Sequence, residues 1–200
     1  MKLYGFFRVT AAPFIKALYR LRVQGAQHIP KSGGVILCSN HRSVADPILL
    51  GFSVKRRQVR YMAKQELFEN HGQFAAWFLR TLGAFPVNRG KGDTQAIEQA
   101  VSILEQGGML GIFPQGYVTP PGVPFAPKSG VATIAYRAKA PVLPAAILAD
   151  GKIKPFGPVT VSFGKLIAYE DFGFTTGSRG EIKAAAHKIA DAVNQLLEDA

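Results

Sequence analysis

Short apolar runs closed by glycine or proline alternate along this chain with longer stretches in which apolar residues return every three or four positions. Gly34–Ser39 is a β-prone run bounded by glycines and predicts a buried strand. Val59–Ala63, Ala84–Asn88, Met109–Phe113, Pro141–Ala149 and Val159–Phe163 predict further strands. Helical spacing and capping residues predict helices from Pro47 onward, over Gln73–Leu82, from Asp93 or Thr94 to Gln106, over Lys128–Lys139 and over Glu181–Leu197. Gly83 and Gly107-Gly108 stand where two of these helices must stop. Strands alternating with helices predict a single α/β sandwich, a mixed sheet flanked by helices.

The first 23 residues follow a different pattern. Leu3, Phe6, Phe7, Phe14, Ala17, Leu18 and Leu21 fall on one side of a helix, and Lys2, Arg8, Lys16, Arg20 and Arg22 fall on the other. Pro13 predicts a kink or the start of a second helix. The uncharged run Val9–Ile15 is far too short to span a bilayer. Two readings of this segment stand: a basic amphipathic anchor at a membrane interface, or a terminal helix packed on its own domain. The division is 1–23 for this segment and 24–200 for the folded domain.

Charge sharpens the picture. The 200 residues carry a net charge of +11, and it is unevenly spread. Residues 1–92 hold 15 Lys/Arg against 3 Asp/Glu, whereas residues 93–200 hold 9 against 10. Such a field draws phosphates, whether of lipid, substrate or nucleic acid. The cluster Lys55-Arg56-Arg57-Gln58-Val59-Arg60 is a solvated face or, beside the N-terminal helix, a contact for lipid phosphates. A single cysteine, Cys38, leaves no intramolecular disulfide and no multi-cysteine metal site, and its place in a predicted strand makes it a core residue. Gln106–Pro127 is uncharged, but its prolines and glycines exclude a membrane helix.

The candidate chemistry sits where the first strand of the domain ends. Asn40-His41-Arg42-Ser43-Val44-Ala45-Asp46-Pro47 puts His41 in the turn leaving the strand and Asp46 at the mouth of the next helix. In open α/β sheets ligands gather at that end of the strands. A histidine there can take a proton from an attacking hydroxyl if a carboxylate holds its ring, and Asp46 has the spacing to do so. Asp-Pro is equally a helix cap followed by a first helical residue, so a capping role for Asp46 stands beside the catalytic one. Arg89 and Lys91, just before a helix N-terminus, form an anion seat. It is not a phosphate-binding P-loop, because Gly92 follows Gly90-Lys91 where Ser or Thr is required.

Taken together these residues resemble the glycerolipid acyltransferase superfamily, the lysophosphatidate acyltransferases in particular. Asn40-His41…Asp46 is similar to the family's Asn-His-x4-Asp block, and Gly83–Arg89 to its Gly-x-x-aromatic/Pro-Ile/Val-x-Arg block. Phe113-Pro114-Gln115-Gly116 is similar to its Phe-Pro-Glu-Gly block, and Ala140–Pro144 to its Val/Ala-Pro-Val-x-Pro block. The resemblance implies direct acyl transfer from acyl-CoA or acyl-carrier protein to a lysolipid hydroxyl, with no metal, cofactor or covalent intermediate. It implies His41 as general base, Asp46 as its orienting partner and Arg89 on the acceptor phosphate. Asn88, Gln115, Gly116 and Lys128 join Arg89 on the substrate side. The implied location is peripheral or monotopic, on anionic lipid at the cytoplasmic face, with no nucleic-acid partner.

Two departures stand out. The family glutamate is Gln115 here and the usual following threonine is Tyr117. Glutamine keeps the shape but loses the charge and gains two donors, which brings the identity of the acceptor into question. It also leaves room for a second reading, a member of the fold that binds phospholipid or acyl thioester without turnover. A basic nucleic-acid binder is a remote third, supported by charge alone.

Overall fold

The structure is a computed structural model that describes residues 2–70, 72–87, 94–119, 125 and 128–199. The elements in chain order are α1 (Lys2–Leu18), β1 (Arg22–Gln24), β2 (Val35–Ser39), α2 (Asp46–Ser53), β3 (Val59–Lys64), α3 (Glu66–Glu69) and α4 (Gly72–Thr81). They continue with β4 (Ala84–Val87), α5 (Thr94–Glu105), β5 (Met109–Ile112), α6 (Gly130–Ala138), β6 (Val142–Ala149), β7 (Val159–Phe163) and α7 (Arg179–Glu198). Seven strands form one sheet in the order β1-β7-β6-β2-β5-β3-β4. Only β6 and β7 pair antiparallel, so β1 and β7 run against the other five strands. The edge where β2 ends is therefore the edge where β1 and β7 begin.

Alternation along the strands builds two cores. In β2, Val35 and Leu37 face one layer and Ile36 and Cys38 the other. Both faces are buried, and this is why the strand reads as a continuous apolar run. Helices α5, α6 and α7 cover one face, with Leu104, Ile134 and Ile189 at the centre. Leu49 and Leu50 of α2, Phe68 of α3 and Ala76 of α4 cover the other. The expected sandwich with a mixed sheet is the observed fold.

The N-terminal segment divides its apolar residues. Ile15 and Tyr19 pack on the core beside Leu21, whereas Val9 and Phe14 stand 72% and 78% exposed. Pro13 lies inside α1, which runs through it as one helix. The strand Arg22–Gln24 was not predicted. Three residues carry no legible period, and they become a strand only by lying parallel to Thr160–Ser162 of β7. The division at residue 23 falls within that strand. No helix among the described residues is long and apolar enough to cross a membrane.

The basic cluster before β3 lies at the end of the sheet where β2, β3 and β5 begin. Arg57 is spent there as a brace, donating to the carbonyls of Pro30, Gly33 and Gly107. Burial lowers the pKa of this guanidinium. The lipid-contact reading of the cluster is thereby corrected for Arg57, whose donors point into the protein.

Candidate active site

The site begins where the chain leaves β2, the central strand of the sheet. Asn40 is buried, and its side-chain amide continues the ladder that the backbone abandons. Its Nδ2 donates to Ile147 O at 3.0 Å, and Ile147 N donates to its Oδ1 at 2.7 Å. Arg42, two residues on, donates to the carbonyls of Ala149 and Gly151 at 3.0 and 2.9 Å. His41 is thus fixed between two side chains that both grip β6 and its exit.

The backbone of His41 is held from the other flank by the loop after β5. Its N–H donates to Gln115 Oε1 at 3.2 Å, and its carbonyl accepts from Thr119 N at 2.7 Å. An N–H must face an acceptor, so this contact sets the Gln115 amide oxygen toward His41. Gln115 is buried behind the histidine and does not line the cavity in front of it.

Asp46 is fully buried at the first position of α2, yet it does not cap that helix. Its Oδ2 turns back and accepts from Arg42 N at 2.5 Å, from Ser43 N at 2.7 Å and from His41 Nδ1 at 2.8 Å. A carboxylate oxygen can only accept there, so Nδ1 carries the ring proton and Nε2 is left as the basic nitrogen. Phe113 completes the clamp, its ring stacked on the imidazole with centroids 4.4 Å apart and planes 23° from parallel. Tyr61 lies beyond Phe113, 6.0 Å away and 10° from parallel. Tyr61 pairs in register with Gly111 of β5, where a Cβ would collide with its ring.

His41 opens onto a cavity of about 1020 Å³ along the C-terminal ends of β3, β4 and β5. Its inner wall is apolar, with Phe52, Tyr61, Leu79 and Leu82. Lys64 and Lys128 are the cations among the described residues that line it. Gly116 presents bare backbone to the cavity at φ +81°, a conformation that strains any residue with a Cβ. The exposed side chains of Val44, Tyr117 and Val118 ring the mouth.

A family model described as Acyltransferase matches residues 20–148. The chain belongs to the acyltransferase family. It is 30% identical over 182 residues to the 1-acyl-sn-glycerol-3-phosphate acyltransferase of Bacillus subtilis, covering 90% of this chain and 87% of that one. It is 36% identical over 110 residues to the enzyme of the same name from Streptococcus pneumoniae, covering 54% of this chain and 39% of that one. The 1-acyl-sn-glycerophosphate acyltransferase PlsC of Thermotoga maritima shares the fold, with a TM-score of 0.70 over 98% of this chain and 78% of that one at 24% identity.

This acyltransferase brings some of its sequence motifs together and keeps others apart. The Asn40–Asp46 turn and the Phe113–Gly116 turn meet, 74 residues apart in sequence, through the bond between His41 and Gln115. Lys128 joins them on the cavity wall. Asn88 and Arg89 lie outside the described residues, as do Lys91 and Asp93 of the predicted anion seat. Gly83, from the same block, sits at φ +96° against the carbonyl of Val59, where no other side chain fits. The Ala140–Pro144 block leads into β6 from the edge opposite His41 and so shapes the sheet.

Several residues at the site escaped the sequence reading, Lys64 on the cavity wall and Thr119 on the His41 carbonyl among them. Phe113 was legible as part of a motif, but its target is 72 positions away. Tyr61 and Gly111 gave no signal beyond a strand pattern. Cys38 is the core residue its strand predicts, and burial pushes its thiol up and out of reach of ionisation. His28, in the connection before β2, has its Nδ1 3.0 Å from Phe163 O.

Proposed function

We propose that this acyltransferase moves a fatty acyl group from acyl-CoA or acyl-carrier protein to the free hydroxyl of a lysophosphatidate-type acceptor at an anionic membrane surface. The observation that carries this reading is the His41–Asp46 pair, 2.8 Å apart, at the mouth of a large apolar cavity. Nε2 of His41 accepts the hydroxyl proton as the acceptor oxygen attacks the thioester carbonyl carbon. The tetrahedral intermediate then expels the thiolate as the C–S bond breaks, and the thiolate takes that proton back from the imidazolium. Asp46 holds the tautomer and stabilises the imidazolium while it exists. The route uses no metal, cofactor or covalent acyl-enzyme.

The acyl chain fits the apolar wall of the cavity. Lys64 and Lys128 suit a phosphate, that of the acceptor or of the donor. The acceptor class follows the names of the relatives from Bacillus subtilis and Streptococcus pneumoniae. Membrane engagement is supported by the exposed Phe14 and Val9 of α1 and by the basic N-terminal half.

Transfer of labelled acyl-CoA and of acyl-carrier protein to a panel of lysolipids and lipid alcohols tests the reading. Transfer to lysophosphatidate above the other acceptors is expected, and it should fall by about two to four orders of magnitude in His41→Ala. Binding of acyl thioester without transfer to any acceptor would favour the non-catalytic alternative. A fully active His41→Ala protein would overturn the mechanism.

A further inference from the structure

We propose that the loop joining β6 to β7, residues 150–158, is a second membrane-contact element that seats Phe156 in the interface of an anionic bilayer. This rests on the membrane-surface reading above and adds a contact built into the catalytic domain itself.

Phe156 is 70% exposed and sits at φ +64°. A bulky aromatic rarely adopts that left-handed conformation, and folding ordinarily hides such a ring. Here the surroundings hold it out. The Phe156 N–H donates to the carbonyl of Leu18, the last residue of α1, and Gly157 N donates to Lys154 O. Ile153 packs on the core, and Pro155 and Pro158 restrict the backbone on either side of the ring. The ring is therefore presented by a braced turn.

Its neighbours suit lipid. Lys152 and Lys154 are exposed in the same loop, against one carboxylate, Asp150. Exposed Arg20 follows α1, and Phe14 stands one turn before Leu18 on the same side of that helix. Aromatic side chains flanked by lysine and arginine are what an anionic bilayer interface accepts, the ring in the headgroup region and the cations on phosphate.

The placement connects this contact to the reaction. β6 ends and β7 begins at the edge where β2 delivers His41. Arg42 bonds the carbonyls of Ala149 and Gly151 and so ties the root of the loop to the catalytic turn. On the other flank of His41, Val44 is 86% exposed at the cavity mouth. A surface that receives Phe156 and Phe14 receives that edge of the sheet.

The test is co-sedimentation of the full chain with vesicles of equal parts phosphatidylcholine and phosphatidylglycerol. Phe156→Gly removes the ring while placing at φ +64° the residue best suited to it, so its Tm should equal or exceed that of the intact protein. Its partitioning should fall about three- to tenfold. Lys152→Gln with Lys154→Gln should lower partitioning about tenfold in low salt and much less in high salt. If the intact protein binds and Phe156→Gly binds equally well, the loop contact is overturned and the membrane reading survives. If the lysine variant keeps vesicle binding but raises the KM for acyl-carrier protein, the loop docks an acidic carrier and the lipid proposal is overturned. If the intact protein does not bind vesicles, the membrane reading itself falls and the loop contact with it.

Discussion

Phe113 lies flat against the imidazole of His41, and with Asp46 on Nδ1 it leaves the ring a single orientation. A stacked ring restrains the tilt of the imidazole, and the hydrogen bond alone restrains only its rotation within the plane. Phe113→Leu keeps the apolar bulk and loses the flat contact. The expected outcome is a fall in kcat of about ten- to a hundredfold with KM little changed, since misplacement of a base costs on that scale. Phe113→Tyr should recover most of the rate. An equal loss in both variants, or a change confined to KM, would assign Phe113 to packing or to substrate binding.

His41→Ala should lower turnover by about two to four orders of magnitude, the usual contribution of a positioned general base. Asp46→Asn should fall within the same range. Its amide oxygen can still accept from Arg42 and Ser43, so the turn and the Tm should change little, but an amide no longer stabilises the imidazolium. A pure cap would instead show normal kinetics after this substitution, because asparagine caps nearly as well as aspartate. Steady-state kinetics beside thermal denaturation separates the two.

Gln115 spends its side-chain oxygen on the N–H of His41, and a glutamate carboxylate offers an oxygen in the same place. Gln115→Glu should therefore leave acceptor preference unchanged and kcat within a few-fold. Gln115→Leu removes the acceptor and leaves the His41 N–H unpaired, at a cost of about 1–3 kcal/mol in stability. Chemical denaturation measures that loss. A switch of acceptor preference in Gln115→Glu would show that the departure from the family motif acts on substrate.

Gly111→Ala tests the support behind the clamp. The added methyl would collide with the Tyr61 ring and crowd Val59, forcing the layered rings apart. Overpacking of this kind costs about 1–3 kcal/mol, and kcat should drop as Phe113 loses its backing. Normal stability and rate would mean that Tyr61 can move aside without consequence.

Glu181 tests the far end of the fold by pH. Hydrogen bonds from the Thr175 hydroxyl and backbone, and from the N–H groups of Gly177 and Thr176, hold its carboxyl down at about 2. It sits in the first turn of α7, where Ser178 accepts from Glu181 N. Since the folded value lies below the unfolded one of about 4.3, its contribution is fully present above that and is lost as pH falls toward 2. Glu181→Gln should lower Tm at neutral pH, and the gap should close between about pH 4.5 and 2. A gap that persists at pH 2 would place its contribution outside this linkage.

Local chemistry was enough to read most of the elements and one half of the site. Gly34–Ser39 announces a buried strand because a run buried on both faces needs no alternation, and the observed β2 is Val35–Ser39. His41 and Asp46 were readable as a pair because they share one turn. Glu181–Leu197 shows its period over many residues, and α7 is Arg179–Glu198. What the sequence could not disclose depends on strand order. The loop after β5 reaches His41 because β5 lies beside β2, and no local pattern encodes that neighbour. The same order gives Gln115 its target and puts Phe113 on the imidazole. It also sends Arg57 to the opposite edge and makes a strand of Arg22–Gln24. Each of these rests on backbone pairing between segments far apart in the chain, and such pairing is decided by how whole layers bury their apolar faces.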